Sequence, residues 1–285
     1  MPSDSAFQNQ PRKKGVAGFL GRFLGALGRP SLRTINKRLN QVAFSGRLLI
    51  LGLWGLGRGS LGRRRLMRRL ILFQVYVIFR ASFVLLCLMG LMMGVLWSAL
   101  WFGVLANVGG ASALTSLLVS VHLQEISTIL TTVAVVMTYS GPMTLELALM
   151  KSSGEFDTLQ LMGIPPEHIL AWPRLLGLVL AFPGLVLLMS LTTFLGAYWG
   201  IVRAIDLPLY EFVSDVAVAI EPFKILMLAI KCLLISLAMG FFCLFHAWQT
   251  PDGDMRQAPA ISRRAMGEGF IFSTLAGVLI TILYG

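Results

Sequence analysis

The chain has 285 residues, of which 56% are hydrophobic and 13% are charged, with a formal net charge of +11. A soluble domain carries about 25% charged residues, so this composition excludes an ordinary water-soluble domain and indicates a polytopic membrane protein. Nucleic-acid binding is not indicated either, because 16 of the 24 Lys and Arg residues lie before Ala81. A basic flank beside a membrane span marks the cytoplasmic side and attracts anionic lipid headgroups.

The segment before the first apolar tract divides into two parts. Residues 1–28 are predicted to form a flexible basic N-terminus. Residues 29–80 are predicted to form basic amphipathic helices in the membrane interface. In Leu32–Leu53 the apolar residues recur every three or four positions opposite a basic face, a pattern typical of interfacial helices. The arginines of Arg63–Arg69 are interpreted as topology signals and headgroup contacts.

Five apolar tracts follow, and each approaches the ~20 residues that cross a bilayer as a helix. The sequence therefore predicts an all-α membrane protein in which residues 81–285 form a five-span domain, with spans near 81–106, 117–139, 173–202, 225–248 and 266–284. The segment Ala204–Glu221 has four acidic and no basic residues. The positive-inside rule then places the N-terminus in the cytoplasm and the C-terminus outside.

Two kinds of feature within the spans indicate helix contacts. Gly90–Gly94 and Gly196–Gly200 have the GxxxG spacing that lets helix backbones approach closely, although chance matches are common in glycine-rich spans. Glu125 and Lys231 are charges inside apolar tracts, where burial costs about 2.5–3.5 kcal/mol on insertion scales. Pairing between the two is one possibility, and the other is that each snorkels or hydrogen-bonds to hold the bundle. A structural role is favoured over a functional one.

Motifs for catalysis or cofactor binding are missing from the sequence. There is no GxxxxGK[ST] phosphate-binding loop, and the three histidines and three cysteines lack metal-ligand spacing. We therefore expect neither a cofactor, a metal site nor catalysis in this chain. A membrane-embedded lipid-modifying enzyme and a structural anchor subunit are the alternatives.

A charged segment between the second and third spans, Leu145–Pro166, is predicted to form a short amphipathic helix on the cytoplasmic side. Ser152 and Glu155 fit a capping box, with Ser152 as the N-cap. Phe156, Leu159 and Met162 are spaced three apart and are predicted to share one face. Ile164–Pro166 is predicted to end the helix. The alternative is a connector that lies on the membrane.

At these residues the chain resembles the MlaE/YrbE family of ABC-transporter permeases, whose members move phospholipids or other lipids across the bacterial envelope. The resemblance covers about Arg29–Gly285. The stretches that carry it are Leu145–Pro166, Trp172-Pro173-Arg174, Ala260-Ile261-Ser262-Arg263 and the Gly90–Gly94 motif.

The chain departs from the family pattern at three places, so it resembles a divergent member. The family's L-R-E-L-G-P run reads Leu123-Gln124-Glu125-Ile126-Ser127-Thr128, and its A-G-R-A-G motif reads Met137-Thr138-Tyr139-Ser140-Gly141. Its Lys-Ser pair reads Ile235-Ser236, with Lys231 one turn earlier.

The resemblance implies a homodimeric permease of the bacterial inner membrane. The expected partners are a second copy of the chain, a cytoplasmic ATPase dimer that binds ATP and Mg, an MCE-domain periplasmic protein, a STAS-domain protein and the lipid substrate. By the same resemblance, the ATPase-coupling residues would be Glu146, Glu155, Phe156, Asp157, Leu159 and Met162. The residues lining a lipid cavity would be Leu96, Trp97, Leu100 and Trp101.

Overall fold

A computed structural model describes residues 61–108, 121–202, 208–219 and 221–284. The predicted N-terminus (1–28) and the predicted interfacial helix Leu32–Leu53 lie outside these residues. In chain order the helices are α1 (Leu61–Val108), α2 (Ser127–Val135), α3 (Gly141–Ser152), α4 (Glu155–Leu161), α5 (Trp172–Val202), α6 (Leu209–Ala219), α7 (Pro222–Trp248) and α8 (Ala258–Tyr284). Short π-helical segments at His122–Ile126, Val136–Ser140 and Glu167–Ala171 continue α2, α3 and α5, and a 3₁₀ turn at Met255–Gln257 precedes α8.

The all-α prediction is confirmed for the described part of the chain, which contains no strand. Five helices there are long and apolar enough to cross a membrane: Arg65–Ala99, His122–Ser152, Glu167–Gly200, Pro222–Trp248 and Met255–Leu283. The second and third have the largest share of buried residues in their apolar stretches, and the first and last have the smallest. The second and third spans therefore form the centre of the bundle.

The first span belongs to a much longer helix than the apolar tract alone. Helix α1 begins at Leu61 and has 48 residues, which corresponds to about 72 Å at 1.5 Å per residue. The hydrocarbon layer is only about 30 Å thick. The arginine-rich start of α1 is thus continuous with the first span, and part of the helix extends beyond the apolar layer.

Helices α1 and α5 pack with their backbones in direct contact through both GxxxG motifs. A Cβ atom added to Gly94 would lie 2.1 Å from the carbonyl oxygen of Thr193. One added to Gly196 would lie 2.4 Å from the carbonyl oxygen of Leu91. Only glycine leaves room for this approach, so the prediction that the two motifs mark close helix contacts is confirmed.

The second span is fixed to its neighbours by hydrogen bonds. The Tyr139 hydroxyl donates to Gln74 Oε1 of α1 at 2.9 Å. The Ser262 hydroxyl of α8 donates to the carbonyl of Gly141 at 2.8 Å.

We call the end of the bundle where α4 (Glu155–Leu161) lies the α4 end, and the opposite end the distal end.

Candidate functional site

Helix α4 is held between two glycines in the left-handed conformation. Gly154 precedes it with φ 81°, and Gly163 follows it with φ 73°. At its C-terminus the amide of Ile164 donates to the carbonyl of Leu159 at 3.0 Å, and the amide of Gly163 donates to that of Gln160 at 2.9 Å. These two bonds form a Schellman motif. Both ends of this short helix therefore have a defined backbone geometry.

The predicted capping box is wrong. Ser152 is the last residue of α3, and its hydroxyl donates back to the carbonyl of Leu149 at 3.0 Å. The N-cap of α4 is Gly154, because α3 runs on through Ser152 and a left-handed residue is then needed to start the new helix. The helix also ends at Leu161, ahead of the predicted stop, since Gly163 already reverses the backbone.

The three apolar residues predicted to share one face of α4 have different environments. Phe156 is buried, Leu159 is half-buried, and Met162 is 69% exposed. At 3.6 residues per turn, two steps of three residues leave Phe156 and Met162 about 120° apart. Leu161, which the sequence analysis did not select, is 90% exposed. The exposed residues of α4 and its C-cap thus include the apolar pair Leu161 and Met162 and the acids Glu155 and Asp157, besides the polar Thr158 and Gln160.

Helix α4 is attached to the last turn of α7. The Phe156 ring packs on the Trp248 ring with centroids 4.9 Å apart and planes at 52°. The Lys151 ammonium donates to the carbonyl of Trp248. The amide of Gly253, in the loop after α7, donates to the carbonyl of Ser152 at 3.1 Å. Phe156 therefore serves as an internal contact of this chain, and the first two interactions define what we call the α4–α7 contact (Lys151, Phe156, Trp248).

Glu146 is already engaged within the chain. Its carboxylate accepts a hydrogen bond from Arg174 at 2.8 Å, in an ion pair between α3 and α5. The Arg174 side chain is 9% exposed, while that of Glu146 is 59% exposed. A buried guanidinium needs a counter-charge, so Glu146 has a structural task at the start of the third span.

The two intramembrane charges form one hydrogen-bonded cluster near the distal end. The Lys231 ammonium donates to Glu125 Oε1 at 2.7 Å, to the carbonyl of Gln124 at 2.9 Å and to Thr281 Oγ1 at 2.9 Å. The Thr281 hydroxyl donates in turn to Glu125 Oε1 at 2.7 Å. All three ammonium donors are used. Of the two possibilities drawn from the sequence, the structure shows the pairing of Glu125 with Lys231, and Thr281 brings the fifth span into the same cluster.

A glycine of α8 accommodates the Lys231 side chain where α7 meets this helix. Lys231 and Ile235 are four residues apart on α7 and therefore lie on the same helix face. Both approach Gly277 of α8: a Cβ added there would lie 3.1 Å from Ile235 Cδ1 and 3.3 Å from Lys231 Cε. Lys231 and Ile235 thus face α8 together, and Gly277 leaves room for the aliphatic stem of the lysine.

The predicted lipid-cavity residues lie on the distal half of α1. The Leu96 side chain is 54% exposed, and Trp97 is half-buried. Leu100 and Trp101 belong to the same helix, but their side chains lie outside the described part of the structure. The structure thus describes the surroundings of two of the four.

The helices and the α4 segment define a multi-pass α-helical membrane protein. The model of the family described as permease MlaE matches residues 71–283. This is well over half of the chain, so the chain belongs to the MlaE permease family, as the resemblance indicated. A search of curated proteins found no match. Family membership makes the chain a component of a transporter and not a catalytic enzyme.

Proposed function

We propose that the chain is the transmembrane permease subunit of an ABC transporter that moves phospholipid or a related lipid between the inner membrane and the outer envelope. ATP hydrolysis would occur on a separate ATPase subunit, which binds ATP and Mg. Membership of the MlaE permease family supports this assignment. The observation that carries it is the pair of exposed apolar side chains, Leu161 and Met162, at the C-terminal end of α4.

The exposed surface of α4 has the character of an interface. Leu161, the last residue of α4, is 90% exposed, and the C-cap Met162 is 69% exposed, although glycines fix both ends of this helix. Exposed apolar side chains on an ordered backbone are typical anchors of a protein contact. Glu155 and Asp157 add negative charge beside them, so the partner surface would be an apolar pocket with basic residues at its rim. In this proposal α4 is the coupling helix, and Phe156 and Glu146 support it from within the chain.

The proposed orientation puts the α4 end in the cytoplasm, with the N-terminus cytoplasmic and the C-terminus periplasmic. It is supported by the basic residues at the α4 ends of the spans, such as Arg263 and Arg264, which are exposed. The MCE-domain partner would then dock at the distal end and the STAS-domain partner at the cytoplasmic side. A second copy of the chain would complete a lipid cavity, and the exposed Leu96 on α1 supports a position for that cavity on the distal half of this helix.

The test is an assay of the ATPase contact with one charge placed at each of two exposed methionines. We expect Met162→Asp, alone or with Leu161→Asp, to abolish co-purification of the ATPase from detergent and its stimulation by phospholipid. Met255 is the matched control because it is also exposed, at 53%, at the same end of the bundle but outside α4. Met255→Asp should keep the ATPase bound. Retention of the ATPase by the Met162 variant, or a wild-type chain that captures no ATPase, would refute the proposal.

A further inference from the structure

The second span, together with α4 that follows it, is tied to α7 at both ends of the bundle. At the α4 end, Phe156 packs on Trp248 and Lys151 donates to the Trp248 carbonyl. Near the distal end, Lys231 of α7 bonds to Glu125 and to the carbonyl of Gln124. Trp248 and Lys231 are 17 positions apart, which is about 26 Å along a helix. Two ties at this separation restrict both sliding and rotation of one helix against the other.

The tie at the α4 end is well suited to transmit force. Phe156 is 4% exposed, and its ring packs on the half-buried Trp248 in the last turn of α7. Close-packed side chains shift together because there is no free volume to absorb a displacement. The Lys151 bond fastens the end of α3, which leads into α4, to the backbone of the same last turn of α7. A displacement of α4 is therefore passed to α7 through side-chain packing as well as along the covalent chain.

We infer that the α4–α7 contact makes α7 follow the coupling helix, so that Trp248 is a positioning residue for coupling. This inference rests on the proposed ATPase contact of α4 and deepens it. In this view the ATPase touches Leu161 and Met162, Phe156 passes the displacement to Trp248, and α7 carries it to the cluster of Lys231, Glu125 and Thr281. Leu161 and Met162 then face the ATPase, whereas Phe156 and Trp248 transmit the movement of α4 to α7.

A double-mutant cycle on the assembled complex tests this separation. Phe156→Ala, Trp248→Ala and the double variant are compared in vesicles of phosphatidylethanolamine and phosphatidylglycerol, with ATP hydrolysed per labelled phospholipid moved as the readout. Each single variant should keep the ATPase bound but raise this ratio roughly tenfold. The reason is that losing a buried aromatic pair changes an equilibrium constant by up to about one order of magnitude. The double variant should be no worse than either single one, because both remove the same contact.

Controls separate this effect from a loss of stability. Trp248→Phe keeps a ring against Phe156 and should retain most of the coupling, even if Trp248→Ala folds poorly. Trp199→Ala removes an exposed tryptophan from the distal half of α5 and should not change the ratio. Additive effects of the two single variants would overturn the inference. Loss of ATPase binding in Phe156→Ala would also overturn it, because Phe156 would then be a partner contact.

A measurement on the chain alone keeps the inference independent of the ATPase. In the last turn of α7 the amide of Gln249 donates to the carbonyls of Phe245 and His246. Hydrogen exchange in detergent should rise at this turn in the Phe156→Ala variant. Unchanged exchange there would show that α4 does not hold α7. If the wild-type chain captured no ATPase, the proposed function would fail while this experiment still reported on the α4–α7 contact.

Discussion

Two interfaces of the bundle solve the problem of helix packing in lipid in opposite ways. Between α1 and α5, glycines stand at the contact points, and Gly94 and Gly196 let the two backbones touch. Between the second span, α7 and α8, polar groups are added, and Lys231 bonds to Glu125 and Thr281. The glycine interface depends on close van der Waals contact. The polar interface depends on complete pairing, because an unpaired charge in the membrane is costly.

This difference predicts different ways to damage each interface. The α1–α5 contact should fail when an atom is added, whereas the cluster around Lys231 should fail when one partner is removed and recover when both are removed. The α4–α7 contact belongs to the polar interface through Lys151, the residue of the second span that bonds to the last turn of α7. We therefore expect the glycine interface to contribute mainly to stability and the polar interface to contribute to coupling as well.

The largest effect is expected for Gly94→Ala. The new Cβ would lie 2.1 Å from a backbone oxygen, and a backbone atom cannot rotate out of the way as a side chain can. We expect a loss of about 3 kcal/mol in the free energy of unfolding, the upper range for overpacking. Thermal unfolding in detergent measures it. Gly267→Ala is the control because no atom lies within 4 Å of its added Cβ, and equal effects at both positions would contradict a backbone contact at Gly94.

A smaller effect is expected for Lys231→Met, which leaves the Glu125 carboxylate without its cation. The Glu125 side chain is 30% exposed, so the cost should be about 2 kcal/mol, below that of a fully buried unpaired charge. The double variant with Glu125→Gln should recover most of this loss, because no charge is then left unpaired. Unfolding curves of the two variants provide the comparison, and a double variant less stable than Lys231→Met would exclude the pairing as the reason.

The sequence predicts the spans well because hydropathy over 20 residues depends on little besides composition. It also offers the pairing of Glu125 with Lys231 as one of two possibilities, since two opposite charges in lipid have few other partners. It does not predict Thr281, because a threonine in an apolar helix carries no comparable signal. The sequence also does not predict that the two glycine motifs face each other. This depends on the register of α1 against α5, and the glycine spacing within one helix carries no information about that register.

The α4 segment is a helix as predicted, but the predicted ends of the helix are wrong, and the burial of Phe156 inside the chain was not predicted. Gly154 and Gly163 were the available signals, because glycine readily adopts the left-handed backbone that starts and ends this helix. Ser152 matched a capping box, so the predicted start of the helix lay two residues too early. The burial of Phe156 could not be inferred at all, since its partner Trp248 is far away in the chain and only the fold brings them together.

The smallest effect is expected where the two regions are joined. Glu146 of α3 pairs with Arg174 of α5, and Glu146→Gln removes the charge while keeping an acceptor at 2.8 Å. Because the Glu146 side chain is 59% exposed, water screens the pair and the loss should be about 0.5 kcal/mol. If Glu146 supports α5 from within the chain, this variant should shift thermal unfolding slightly and leave ATPase capture intact. Loss of capture with unchanged unfolding would instead place Glu146 on the partner surface beside Leu161 and Met162, and the contact area of the coupling helix would extend back along α3.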